Sequence, residues 1–490
     1  MIFLMILIPV LGSCAVASMR GTLSRAVGPA SVAVTLAVLC VGIALLVYGN
    51  HCVIGGGAYL ALVERAFSAD ALSTPLIVLS ALLFFICALF SVFGPRGGAP
   101  SSPAFFALLL LLEALVVAVF SVCDVLLFYV FFEASLIPMF FMIGFWGHGD
   151  KVGAAFKFLI YTATASLVFL AALVCMNAII AVPLGSFDSV AASLATNTNF
   201  HWQMYFWIAC LFAFAVKLPM VPFHTWLPSA HVQAPTVGSV LLAGLLIKLG
   251  GYGILRFCVQ MLPAVSTHFA KFVVCLSAVS LIYSSLVAFA QRNMKMLVAY
   301  SSIAHMSFVS AGVFSLNEAG ILGAIFQMLS HGLISAALFL CVGMIYSRTG
   351  TMEMSECGGL ASSMPRLSVM MIFFSMASAG IPGTSGFMGE FLSMLGIFKS
   401  YGPMVALFVV GMVLSAAYML RLCREVVWGT VPSEAKDEFD DITVWEFAVL
   451  IVLAVLVLVL GVFPAPLLAL LKPGVEHLLV HMHMLQPSWG

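Results

Sequence analysis

Long apolar runs separated by short polar stretches fill most of this 490-residue chain. A helix needs about 20 apolar residues to cross the roughly 30 Å hydrocarbon layer of a bilayer, and on that measure the pattern predicts an all-α polytopic membrane protein of about 14 transmembrane helices. The spans fall near 2–19, 28–48, 72–93, 103–121, 123–146, 155–183, 202–219 with a broken extension, 237–260, 268–290, 294–314, 319–346, 367–395, 402–427 and 443–470. The first span has no basic n-region and the next follows at once, which predicts a retained helix. With no presequence visible, the expected origin is bacterial or organellar synthesis.

Two spans carry helix-breaking sequence. The seventh reads KLPMVPFHTWLPSAHVQAPT from Lys217, with Pro219, Pro222, Pro228 and Pro235; the twelfth reads AGIPGTSGFMGEF from Ala379, with Gly380, Pro382, Gly383 and Gly386. Proline removes an amide donor and clashes with the preceding turn. Freed backbone groups survive at membrane depth only inside protein or beside water, so both breaks predict polar cavities. They lie five spans apart, and five is odd. Spans 4–8 and 9–13 are therefore expected to form two repeats in opposite orientation, with a site near the midplane.

Composition strengthens the membrane reading: 63% of residues are hydrophobic and 8% charged, at a mean hydropathy of +1.19. A soluble domain carries about a quarter charged residues. The 19 basic and 19 acidic residues cancel, so no polybasic arm for nucleic acid is expected. The 12 cysteines include no C-x-x-C pair, which argues against Fe–S, zinc or disulfide scaffolding. Twelve of the 19 basic residues (Arg20, Arg25, Arg96, Lys151, Lys157, Arg292, Lys295, Arg348, Arg366, Arg421, Arg424 and Lys436) fall in odd-numbered connections and their flanks. Arg65, Arg256, Lys271, Lys399 and Lys472 fall in even-numbered ones or the tail. The positive-inside rule then places both termini on the outer side.

Against this background a few ionisable residues lie deep in apolar sequence: Glu133, Lys217, Lys248, His305, His331 and Glu390. A charge at the bilayer centre costs at least a few kcal/mol, so such residues usually mark an ion or proton path. Glu133 and Lys217 are expected to form a coupled pair in low dielectric; the plain alternative is a salt bridge that only locks two helices. Lysine suits a proton carrier and arginine does not. His305 and His331 are each either path members or hydrogen-bonded core histidines. Glu390 has the stronger case, because it follows the second break.

Other signals are weaker. Glu113 either tunes the first pair or bridges helices. His224 and His231 are spaced unlike a zinc pair and read as part of the polar network at the first break. His477 and His481 share a face in the tail, and the acidic run from Asp437 to Glu446 reads as a solvated loop or partner contact. No Walker loop, dinucleotide fingerprint or nucleophile triad is present, so redox chemistry or ATP hydrolysis belongs to other chains.

The strings FYVFFEASLIPMF, FAVKLPMVPFHTWLPSAHVQAPTVGSVLLAGLLIKLGGYGILRF, AYSSIAHMSF, FQMLSHGLISAALF and GIPGTSGFMGEF, across roughly residues 90 to 430, resemble the antiporter-like membrane subunits of respiratory complex I. The resemblance implies a proton path through Glu133, Lys217, Lys248, His305, His331 and Glu390, and a 14-helix core with two inverted five-helix repeats. Glutamate at position 390 stands where sister subunits carry lysine, and Ser229 stands where many relatives carry a charged residue. The resemblance also implies a division into N-terminal helices at 1–100, a proton-translocating core at 101–430 and a C-terminal loop and last helix at 431–490. No cofactor is expected on this chain; FMN, Fe–S clusters and quinone belong to other subunits. The expected partners are sister antiporter-like subunits on either side and lipids, with no nucleic acid. The mitochondrial inner membrane is the expected location, with the bacterial plasma membrane as alternative. Two rival functions stay open: a subunit of a cation/proton antiporter or membrane-bound hydrogenase, and a structural membrane scaffold.

Overall fold

The computed structural model describes residues 1–19, 21–48, 66–94, 102–180, 184–429 and 439–485. Arg20, Arg65, Arg96, Lys436, Asp437 and the predicted end of the sixth span at 183 lie outside the described residues. Within them, the chain is almost entirely helical and has no strand longer than an isolated bridge. Eleven helices are long and apolar enough to cross a membrane, and two shorter apolar helices, Ile2–Ser18 and Pro365–Ser378, accompany them.

Hydrogen bonds between connections sort into two sets. Odd-numbered connections bond to one another: His148 N–H donates to Gln233 O, Met294 N–H to Met352 O, and Ala361 N–H to Val427 O. Even-numbered ones do the same, through Ser68 N–H to Ser121 O, Asp124 against Ser186 and Asn317 Nδ2 to Gly396 O. This segregation is what successive crossings of one layer produce.

Helix ends follow local sequence. Asp124, Asn199, Asn293 and Asn317 each accept amides of the first turn that follows, the donors a helix cannot satisfy internally. Thr443 and Glu446 form a reciprocal capping box. Three features depart from the hydropathy reading. The fifth span is divided at Ser135 into Val125–Ala134 and Leu136–Trp146, where Pro138 lacks the amide that would bond back to Ala134. The last span ends at Val462, not 470, because Pro464 interrupts it; a separate helix, Ala465–Leu485, follows. The eighth span carries two π-helical turns, Leu242–Leu246 and Ile254–Gln260, a feature often found at functional sites.

The core lies around the Thr236–Gln260 and Glu318–Thr349 helices, whose most apolar windows are entirely buried. Lipid offers no hydrophobic drive between helices, so close approach through small residues carries the packing. The Glu318–Thr349 and Ser385–Tyr401 helices illustrate this: a Cβ on Gly396 would lie 2.3 Å from Gly320 Cα, and one on Gly323 2.3 Å from Ser393 N. Gly396→Val should therefore force the two helices apart at a cost of about 1–3 kcal/mol or more. The expected result is strong loss of the folded protein on native gels and by thermal melting, whereas Leu407→Ala, at an exposed position, should melt like wild type.

Candidate functional site

Both predicted breaks are present. The Phe200–Lys217 helix stops at Lys217 and resumes as Trp226–Gln233. Here Pro219 and Pro222 have no amide to give, and tertiary partners satisfy what is freed: Trp226 Nε1 donates to Val216 O at 2.9 Å, and Val221 N–H donates to Ser280 Oγ at 3.2 Å. The second break separates Pro365–Ser378 from Ser385–Tyr401. Gly380 and Gly383 take φ values of +75° and +92°, a region open to glycine at no steric cost.

Four of the six sequence-identified residues are brought into one line. Lys248, on the helical turn between the two π segments, is fully buried; its ammonium folds back to donate to Ala243 O in the first π turn. Its Nζ also lies 2.7 Å from His331 Nδ1. The rings of His331 and His305 are 5.5 Å apart between centroids. His305 Nδ1 lies 2.7 Å from Glu390 Oε1 and its Nε2 3.0 Å from Ser378 Oγ. Gln327 Nε2 donates to the same carboxylate oxygen at 3.3 Å. A cavity with room for about one water molecule is bounded by His305, His331, Gln327, Ser301, Ser378 and Glu390. The line joins four helices and ends just beyond the second break.

The other two residues are arranged differently from the expected pair. No ion pair joins Glu133 and Lys217 among the described residues; the Lys217 ammonium instead lies 5.1 Å from the Phe132 ring centroid and 5.7 Å from that of Phe158. Phe132 directly precedes Glu133 on the helix, so the aromatic ring faces the ammonium that the carboxylate was expected to meet. Lys217 Nζ and Glu133 Oε2 are buried without a hydrogen-bond partner among the described residues. Both carboxyl oxygens of Glu113 are in the same position, so it bridges no helices among the described residues.

The histidines at the first break also depart from expectation. His231 stacks flat on Phe339 at 4.5 Å, and His224 packs edge-on to Tyr283 at 5.3 Å, so aromatic contacts flank both rings. Ser229 accepts from Lys157 Nζ at 3.0 Å. The acidic run is no free loop where described: Asp441 accepts Arg366 N–H and Leu367 N–H, and the buried Glu446 pairs with Arg348 at 2.7 Å.

Sequence reasoning missed Gln327, Ser378 and Lys295. The first two are uncharged, and nothing in sequence aligns them with Glu390. The charge pattern puts Lys295 in an aqueous flank, yet it is fully buried and donates to Ala234 O at 2.9 Å, stabilising the end of the Trp226–Gln233 helix. Its only signal is a position one residue inside a predicted helix start. Close by, in the connection before Lys151, burial first and then the charges of Lys295 and Lys151 hold His148 below the ordinary imidazole range. Arg256, likewise assigned to a connection, belongs to the second π turn and pairs with Asp70. No group of three or more potential metal ligands is found among the described residues.

Residues 123–415 match the family model described as NADH:quinone oxidoreductase/Mrp antiporter, TM. The chain is 50% identical over 384 residues to NADH-quinone oxidoreductase subunit M of Rhodobacter capsulatus, covering 76% of this chain and 75% of that protein. It is 43% identical to NADH-ubiquinone oxidoreductase chain 4 of Arabidopsis thaliana, over 84% of this chain and 82% of the relative. In structure it is similar to a chain of respiratory complex I from Thermus thermophilus with bound NADH, at a TM-score of 0.86 and 28% identity, covering 98% of this chain and 100% of that one.

Proposed function

The chain belongs to the NADH:quinone oxidoreductase/Mrp antiporter family of membrane proteins, and from that premise we propose that it is the proton-translocating subunit M, or chain 4, of an NADH:quinone oxidoreductase. The observation that carries the reading is the buried line from Lys248 through His331 and His305 to Glu390. Ionisable groups at membrane depth are costly and persist where they serve transport. The names of the relatives favour a complex I subunit over an independent cation/proton antiporter.

In this reading the line works as a relay. A proton leaving the Lys248 ammonium is received at His331 Nδ1. The opposite nitrogen, Nε2, has no hydrogen-bond partner among the described residues, and the adjoining cavity accommodates a water that hands the proton towards His305. His305 then delivers it to the Glu390 carboxylate, to which Gln327 also donates. Glu133 and Lys217 act on the line electrostatically, as charges whose occupancy alters one another's proton affinity. NADH oxidation and quinone reduction take place on other subunits, and sister antiporter-like subunits flank this one. We assign spans 4–8 and 9–13 to two inverted repeats, supported by the breaks five spans apart and by the segregation of odd and even connections. Both termini then face the outer side. The membrane is the mitochondrial inner membrane or, as the alternative, a bacterial plasma membrane; relatives of both origins are similar to this chain.

Lys248→Ala should lower NADH-driven proton pumping in proteoliposomes by an order of magnitude or more, the range a positioned acid–base group supplies. Lys248→Arg should fare no better, because guanidinium does not release protons in this range; an arginine variant pumping at the wild-type rate would show that only fixed charge is needed. Glu133→Gln should impair pumping while native gels show intact assembly, with Glu133→Asp partly active. Glu390→Gln should slow coupled turnover, and Glu390→Lys should retain some. Wild-type turnover and assembly together in Glu390→Gln would reduce that acid to a tie between helices.

A further inference from the structure

Lys217 ends the Phe200–Lys217 helix and is 1% exposed. Its ammonium lies over two ring faces, 5.1 Å from the centroid of Phe132 and 5.7 Å from that of Phe158. Both distances fall inside the roughly 6 Å over which a ring quadrupole attracts a cation. Phe158 is fully buried and Phe132 is 2% exposed, and the attraction strengthens where water is excluded. Nζ has no hydrogen-bond partner among the described residues, so the two faces are its closest favourable surroundings there.

The rings are braced by the segment that carries the lysine. Phe132 stacks on Phe128 at 5.7 Å and packs edge-on to Phe214 at 5.8 Å; Phe214 stands one turn before Lys217 on the same helix. Phe158 packs on Trp226 at 5.5 Å, and the Trp226 indole nitrogen donates to Val216 O, the carbonyl just before Lys217. A Cβ on Gly250 would lie 2.6 Å from Leu218 N, so the eighth span packs tightly on the end of the lysine's helix. Lys157, the sequence neighbour of Phe158, donates to Ser229 and leaves the ring to Lys217. Glu133 directly follows Phe132 and is half-buried; successive residues leave a helix about 100° apart, so the ring and the carboxylate take different directions.

We propose that Phe132 and Phe158 are positioning residues of Lys217: their faces hold the ammonium as an unpaired cation and keep it out of a locked ion pair with Glu133. The inference rests on the proton-translocating reading above and gives two uncharged side chains a part in it. The physical reason is what remains when the lysine loses its charge. In a buried ion pair, neutralising the amine strands a carboxylate in low dielectric, which is strongly unfavourable. Over the rings it strands nothing, because apolar faces need no counter-charge. The cradle therefore lets Lys217 change its charge state alone, while Glu133 stays responsive to its own surroundings. With the faces weakened, the ammonium leaves for the carboxylate and the pair locks.

The test replaces Phe132 in the assembled complex with mono-, di- and trifluorinated phenylalanine, which draw electron density from the ring face at nearly constant volume. A ring that served packing alone would not respond to that change. NADH-driven pumping in proteoliposomes should fall stepwise, by about fivefold at the trifluorinated ring, with normal assembly on native gels. The same series at Phe158, whose face is farther from the ammonium, should fall less steeply. At Phe169, which packs on Phe214 in the same aromatic cluster, the series should leave pumping unchanged. A flat series at Phe132 overturns the proposal, and so does an equal fall at Phe169, which would reduce the rings to packing. Lys248→Ala is measured in the same vesicles: wild-type pumping by that variant sinks the parent reading, whereas a flat Phe132 series beside a Lys248→Ala variant that has lost pumping overturns the cradle alone.

Discussion

The placement of Lys248 governs much of this molecule. It is fully buried in the middle of a lipid-spanning bundle, with a backbone carbonyl and an imidazole nitrogen as its hydrogen-bond partners and no carboxylate paired with it among the described residues. An amine in that setting is far costlier than in water, and the surroundings are shaped to tolerate it. A π turn presents Ala243 O towards the ammonium. His331 comes from a helix buried along its apolar length, and that helix in turn carries Gln327 to Glu390. The polar groups that make the charge tolerable are also groups that can exchange protons with it.

The same constraint explains why irregular backbone and ionisable side chains occur together. Breaking a helix inside a bilayer frees amides and carbonyls that lipid cannot satisfy. At the first break they are met by Trp226 and Ser280; at the second, the glycine turn leaves room beside Glu390, where Gly380 approaches within about a Cβ contact of the carboxylate. Lys217 illustrates a different solution, with the ammonium laid over Phe132 and Phe158. A cation over aromatic faces keeps some stabilisation without a fixed counter-charge.

Much of the fold was legible in the amino-acid order, because lipid reduces the choice to helices and makes the length of an apolar run nearly equivalent to a crossing. The failures are local and share a cause. Ser135 and Pro464 divide helices that hydropathy runs together, since a sliding apolar average is blind to a single missing amide. Lys295 and Arg256 were counted as residues of aqueous connections; their burial depends on neighbours more than 60 residues away, Ala234 and Asp70 respectively.

For the site, amino-acid type and depth were enough to single out Lys248, His305, His331 and Glu390, because a charge in an apolar run stands out whatever surrounds it. Which of them touch was decided only in three dimensions. His331 and Lys248 are separated by 83 residues and His305 and Glu390 by 85, and no periodicity along one helix reports on the rotation of another. Tertiary packing likewise set Phe132 rather than Glu133 against Lys217, recruited the uncharged Gln327 and Ser378, and brought Asp70 to Arg256. Hydropathy fixes how deep a residue lies; helix rotation and crossing, determined by the fit of many side chains at once, fix what it meets there.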